Sequence, residues 1–305
     1  LKIAFVFSPQ GSQEVSMGKR LYETNAQVKH TMDQANALLD YDLFDVMFNN
    51  QDALNQTRYA QMALFVLSCA IKDAMNAEGI VSSASAGLSL GEFAALYDQD
   101  VINFKQGIDI VNNRGRLMEK ATRDTNGTMA AVRSDLDTLQ NALRNENNVF
   151  IANYNIANQF VISGETHAIE QFKTTAKEKG IKRVREIDVA GAFHTKFMKS
   201  AAEAFETYLQ NVSFNPPRNA FYSNTTMGTV ESGFDQLLVK QMVHPVKFYP
   251  MIEQMIADGY DTFVELGHGK TLKTFIKKIN ANVKSLHVSD DVSLAETLKE
   301  LKNDG

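Results

Sequence analysis

The sequence predicts an α/β protein that carries a small inserted subdomain. Apolar runs at residues 2–7 and 263–266 break off into loops rich in Ser, Pro and Gly, as buried strands do. Long stretches of helical periodicity lie between them. Near Gly127 the order changes to β-α-β-β-α-β, the ferredoxin-like arrangement, in which four strands make one antiparallel sheet under two helices. The expected division is a main domain of residues 1–126 and 190–305, with a subdomain of residues 127–189.

Taken in order, Lys2-Ile3-Ala4-Phe5-Val6-Phe7 is a buried strand running into the loop Ser8-Pro9-Gln10-Gly11-Ser12-Gln13. Residues 21–48 are helical in pattern, with Val28, Met32, Ala35 and Leu38 on the apolar side, and residues 59–77 form a second helical region. Another amphipathic helix covers 104–122. In the insert, strands are expected at 128–132, 149–154, 160–164 and 183–189, and helices at 135–145 and 168–179. Helices at 196–209 and 234–242, short strands at 221–223 and 263–266, and a last helix at 271–279 complete the chain. The tail after Leu301 reads as frayed.

Bulk properties exclude several classes. With 305 residues, 44% hydrophobic and 22% charged, the chain can bury a sizeable core. A net charge of -5 builds no basic stripe, which argues against nucleic-acid binding. The single Cys69 cannot form an intramolecular disulfide and fits a reducing compartment. It lies in the apolar run 62–71, which reads as a buried helix face and is too short to span a bilayer. No charged leader precedes the first strand, so the expectation is a cytoplasmic protein.

The chemistry centres on Gly87-Leu88-Ser89-Leu90-Gly91, a G-x-S-x-G pattern that places a serine on a sharp strand-to-helix turn. A Cβ at either glycine would obstruct so tight an elbow. The helix that follows opens with Glu92, a negative charge where the helix dipole favours it. The preceding strand must be inferred from the elbow, because Ser82-Ser83-Ala84-Ser85-Ala86 is β-poor. A serine nucleophile needs a base within hydrogen-bond reach. Of six histidines, His30 and His167 sit in polar contexts and His287 lies late in the chain. Spacing leaves His194 and His268 as leading candidates, with His244 behind them. Arg114 stands before Gly115, a costly residue in a helix, and a guanidinium there could hold a carboxylate bidentately.

These residues fall into six ordered motifs: Phe7 to Gln13, Gly87 to Glu92, Asn113 to Met118, Gly191-Ala192-Phe193-His194, Lys240 to Val246, and Glu265-Leu266-Gly267-His268-Gly269. In that order they resemble malonyl-CoA:acyl carrier protein transacylase and the acyltransferase domains of fatty-acid and polyketide synthases, over essentially the whole chain. The resemblance implies an α/β-hydrolase-like core with a parallel sheet, and an enzyme that moves malonyl from malonyl-CoA to the phosphopantetheine thiol of acyl carrier protein through a malonyl-serine. It implies Ser89 as nucleophile, His194 as base, and the Gln241 backbone carbonyl as holder of the imidazole. The amides of Gln10 and Leu90 would form the oxyanion hole, Arg114 would bind the malonyl carboxylate, and Phe193 would crowd a 2-methyl branch. No metal, cofactor, nucleic acid or membrane is implied, and family precedent suggests a monomer in fatty-acid synthesis.

The chain departs from the family pattern at Ser8-Pro9, Met62, Leu88, Ala157-Asn158 and His268. The first of these reshapes the loop beside the oxyanion hole. Three other readings compete. One is a serine hydrolase using a late histidine such as His268. Another is a non-catalytic module that holds acyl carrier protein, and the third is a transferase of a different extender.

Overall fold

The computed structural model describes residues 2–189 and 191–303. Strand β1 (Ile3–Phe7) leads to helices α1 (Lys19–Thr24), α2 (Ala26–Leu38), α3 (Leu43–Phe48), α4 (Gln51–Leu54) and α5 (Thr57–Ala77). Strand β2 (Ala84–Gly87) then turns into α6 (Gly91–Asp98), followed by α7 (Phe104–Asp124). Next come β3 (Gly127–Arg133), α8 (Leu136–Leu143), β4 (Val149–Ile156), β5 (Gln159–Glu165), α9 (Thr166–Thr175) and β6 (Arg183–Ile187). The chain continues through a short 3-10 turn (Lys196–Met198), α10 (Lys199–Leu209), β7 (Ala220–Phe221), α11 (Phe234–Val243) and α12 (Phe248–Ala257). It closes with β8 (Thr262–Leu266), α13 (Thr271–Ile279), β9 (Lys284–Val288) and α14 (Asp291–Asn303).

One sheet is parallel throughout, in the order β7-β2-β1-β8-β9. Its strands are covered on both faces, so they alternate between two cores: Phe5 and Phe7 enter one, Ala4 and Val6 the other. The second sheet is antiparallel, in the order β4-β5-β3-β6, with α8 and α9 packed in one cluster around Leu139, Phe160 and Phe172. That order is ferredoxin-like. The two sheets are fastened together where Val246 slots beside β4: its amide donates to Ala152 O at 2.7 Å, and its carbonyl accepts from Tyr154 N at 2.8 Å.

Several sequence expectations change. The helical pattern of residues 21–48 resolves into three helices, because Asn25 and Asp42 each accept hydrogen bonds from two amides of a new helix and so restart the chain. Helix 271–279 is not the last: β9 and α14 follow it, and Asp290 accepts from the Ser293 amide at 2.8 Å at the entry to α14. Helix α12 was missed. Its Pro250 lies in the first turn, where a missing amide costs nothing. The expected tail is helical through Asn303; Asp304 and Gly305 lie outside the described residues, as does residue 190 at the expected edge of the insert. Cys69 is buried in α5 as a free thiol, and burial pushes its pKa well up. Among the described residues no helix is long and apolar enough to cross a membrane.

Candidate active site

The elbow is as tight as its glycines suggest. A Cβ on Gly87 would stand 2.0 Å from the Gly91 carbonyl carbon, and one on Gly91 would stand 2.1 Å from Phe7 O. Only glycine lets β2, α6 and β1 meet this closely. Ser89, between them, is held at φ 53°, a left-handed conformation that a non-glycine residue adopts only when its surroundings impose it. The weak β-propensity of residues 82–86 now has a cause. Strand β2 is second in the parallel sheet and fully buried, and Ser85 spends its hydroxyl on Asp98 at the end of α6.

Of the histidines left open by spacing, His194 is the one brought to the serine. Its Nε2 lies 2.8 Å from Ser89 Oγ, and its Nδ1 lies 2.9 Å from the backbone carbonyl of Gln241. A carbonyl can only accept, so Nδ1 carries the proton and Nε2 is left to accept from the hydroxyl. Burial pushes the imidazole down to about 4, with a further push from Arg114, so the ring is neutral at pH 7. His268 instead pairs with Glu14 at 3.1 Å, and exposed His244 turns its Nδ1 to Lys240 O. His30 and His167 are exposed.

Arg114 is fully buried on α7. Its Nη1 donates to Gln61 Oε1 at 2.7 Å; its Nη2 reaches Gln241 Oε1 at 2.9 Å and Ser89 Oγ at 3.2 Å. The guanidinium lies 5.0 Å over the Phe93 ring, and its Nε has no partner among the described residues. It has no direct ion pair there, and burial lowers it to about 10, so it stays charged at neutral pH. Gly115 is explained by packing: a Cβ there would come within 2.9 Å of Arg58 Cα, so α7 and α5 touch backbone to backbone beside the site.

Two side chains matter that the sequence reading did not place. Gln61 accepts from Arg114 Nη1. Glu92 was read as a helix-dipole charge but is fully buried, accepting from the Asn224 amide at 2.6 Å and from the Gln241 side-chain amide. Burial raises its carboxyl to about 7. The signal was its position on the first turn of α6, followed at once by the apolar run Phe93-Ala94-Ala95-Leu96. Gln241 is therefore a hub: its carbonyl meets His194, its Oε1 meets Arg114, and its Nε2 meets both Glu92 and Ser89 O.

Ser89 and His194 open into a cleft of about 170 Å³ lined from both sheets, with Arg114 buried behind the serine hydroxyl. Gln10, Leu88, Ser89, Phe193 and His194 line one side; Asn153, Asn155 and Val161 line the other. Among the described residues the amides of Gln10 and Leu90 have no protein acceptor. The unusual Ser8 clamps the Gln10 loop to the end of β8, with its hydroxyl 3.1 Å from Glu265 Oε1 and its amide on Leu266 O. A buried neutral imidazole on a serine hydroxyl, beside a buried cation and free amides, can carry out nucleophilic acyl transfer on a substrate that bears a carboxylate.

The comparisons agree with this chemistry. The chain is 35% identical over 311 residues to malonyl CoA-acyl carrier protein transacylase of Bacillus subtilis (strain 168), covering 99% of this chain and 98% of that one. The solved structure of MCAT from Streptococcus pneumoniae superposes with a TM-score of 0.94 at 35% identity, covering 98% of this chain and 100% of that one. A malonyl-transacylase solved in complex with a type II PKS acyl-carrier protein gives a TM-score of 0.94 at 30% identity, covering 98% and 100%. The acyl transferase domain family matches residues 4–304, and the chain belongs to that family.

Proposed function

We propose that the protein transfers the malonyl group of malonyl-CoA to the phosphopantetheine thiol of acyl carrier protein, for fatty-acid synthesis. The observation that carries the reading is the Ser89–His194 contact with Arg114 Nη2 on the same hydroxyl. His194 Nε2 takes the Ser89 proton as Oγ attacks the thioester carbonyl. The Gln10 and Leu90 amides receive the developing oxyanion, worth about 3 kcal/mol per donor. The tetrahedral intermediate collapses to a malonyl-serine ester, and CoA leaves with the proton from His194. The carrier thiol then gives its proton to His194 and attacks the ester, which restores Ser89.

Arg114 takes the malonyl carboxylate. Phe193 narrows the cleft beside the reacting carbon, against a 2-methyl branch. Residues 127–189 act as a subdomain inserted into 1–126 and 190–305, supported by their own sheet and core, and close the cleft from above. A monomer in the cytoplasm is part of this reading, as is the absence of nucleic acid among its partners.

Intact-protein mass after brief mixing tests it. Malonyl-CoA is expected to leave a malonyl adduct that Ser89→Ala abolishes, Arg114→Ala weakens and holo acyl carrier protein discharges. Acetyl-CoA and methylmalonyl-CoA are expected to label poorly. Steady release of CoA without an adduct or carrier acylation would make the protein a thioesterase, and neither adduct nor release would make it a binding module.

A further inference from the structure

A buried guanidinium needs a counter-charge, and Arg114 has no carboxylate in contact among the described residues. Its Nη2 rests on Gln241 Oε1, and the other end of that same amide, Nε2, rests on the carboxylate of Glu92. A positive and a negative side chain, both fully buried, thus share one neutral amide. The remaining contacts of Glu92 are to neutral groups: the Asn224 amide and the hydroxyl of Ser223. Among the described residues Glu92 is the one carboxylate whose charge acts on Arg114.

We propose that Glu92 is the resident counter-charge of Arg114, coupled to it through the Gln241 side chain, and that a substrate carboxylate arriving on Arg114 takes over that role while Glu92 takes up a proton from solvent. Glu92 is then a positioning residue that sets the discrimination between carboxylated and uncharged acyl groups. The proposal rests on the malonyl-transfer reading above and adds to it a proton that malonyl binding requires and acetyl binding does not.

The balance is simple. With Glu92 ionised, Arg114 and Glu92 sum to zero. A bound malonyl carboxylate would leave one negative charge in excess in a low-dielectric site, and protonation of Glu92 removes it. Once protonated, the Glu92 hydroxyl can donate to Ser223 Oγ, because a serine hydroxyl turns freely between donor and acceptor. The setting suits the exchange, since burial already raises Glu92 to about 7.

The ionisable groups nearest to it, Arg114 and His194, do not change state near neutrality. Arg114 from α7 stays protonated, with a pKa of about 10, and His194, across Gln241, stays neutral, at about 4. Lys72 and Asp73 from α5 are paired with each other beside Tyr97, near the far end of α6. Asp98, at that end, is held by Ser82 and Ser85.

Calorimetric titration of Ser89→Ala with malonyl-CoA and with acetyl-CoA, in buffers of different ionisation heat, reads the proton directly. At pH 7 malonyl-CoA is expected to bind with uptake of about half a proton more than acetyl-CoA. Its dissociation constant, relative to acetyl-CoA, is expected to rise about fivefold from pH 7 to pH 8. In Ser89→Ala/Glu92→Gln both effects disappear. Malonyl-CoA binding with no extra proton uptake in the single variant would overturn the proposal and leave the substrate reading standing, whether or not the double variant folds. Extra uptake that survives Glu92→Gln would assign the proton to another group and overturn it too. Failure of Ser89→Ala to bind malonyl-CoA at all would overturn the substrate reading and this proposal with it.

Discussion

His194 Nδ1 stands 2.9 Å from the main-chain carbonyl of Gln241, so the imidazole is oriented by a backbone atom where a triad would use a carboxylate. The Gln241 side chain does something else: it holds Arg114 and Glu92. Main chain and side chain of one residue thus hold His194 and Arg114 separately. Gln241→Ala should leave the base in place and loosen Arg114. We expect the KM for malonyl-CoA to rise about tenfold, the cost of one hydrogen bond to a charged group, with kcat changed less than about threefold. Steady-state kinetics check this. A collapse of kcat at unchanged KM would mean that the side chain orients the base after all.

The pH dependence follows from two opposed shifts. His194 is depressed to about 4, so its basic form persists well into acid. Single-turnover acylation at saturating malonyl-CoA should hold its rate down to about pH 5 and fall with an apparent pKa near 4. Stability is subtler. Between about pH 4.5 and 6.5 the unfolded chain protonates this imidazole and the folded chain does not, so its contribution to stability rises with pH. Over the same window Glu92, raised to about 7, is protonated when folded and ionised when unfolded, so its contribution falls with pH. The two offset each other in the wild type. Glu92→Gln should expose the histidine alone: on acidification from about pH 6.5 to 4.5 the variant should lose stability that the wild type keeps, as read by denaturant midpoints.

Legibility in the sequence followed physical locality. The elbow was readable because its steric demand is written in Gly87 and Gly91, and the β-α-β-β-α-β order because its elements follow one another unbroken over residues 127–187. His194 could not be chosen over His268 from spacing, since the choice depends on where the 191–195 turn lands, 105 residues from Ser89 along the chain. Glu92 was misread because a carboxylate in a first helical turn is usually solvated, and only the closure of Asn224 and Gln241 over it makes it a buried partner. Pro250 concealed α12 by resembling a break, while Asp290 and Ser293, an ordinary entry signal for a helix, were passed over for α14.

Gly115 links helix packing to the position of Arg114. A Cβ there meets Arg58 Cα at 2.9 Å, and because the obstacle is backbone, α7 must move away from α5. Gly115→Ala should cost about 1–3 kcal/mol of stability despite the better helix propensity of Ala. Since Arg114 is the preceding residue, the same shift should raise the KM for malonyl-CoA more than that for acetyl-CoA. Thermal unfolding and paired kinetics test both. A stabilised variant with unchanged selectivity would show that the contact is slack.

Phe193 is set by what Gly191 lacks. A Cβ at Gly191 would stand 2.8 Å from the Phe193 ring and 2.3 Å from Thr122 Cγ2, so the bare glycine leaves the space the ring occupies. From there the ring lines the cleft with Ser89 and His194. A 2-methyl branch on the acyl group would compete for that volume, whereas in the proposed reading the malonyl carboxylate goes to Arg114. Phe193→Ala should therefore raise acylation by methylmalonyl-CoA about tenfold or more relative to malonyl-CoA, in the range that one methyl group's fit commands. The ratio of the two kcat/KM values is the measurement. An unchanged ratio would place the discrimination elsewhere in the cleft, with Met118 and Val161 next to be tested.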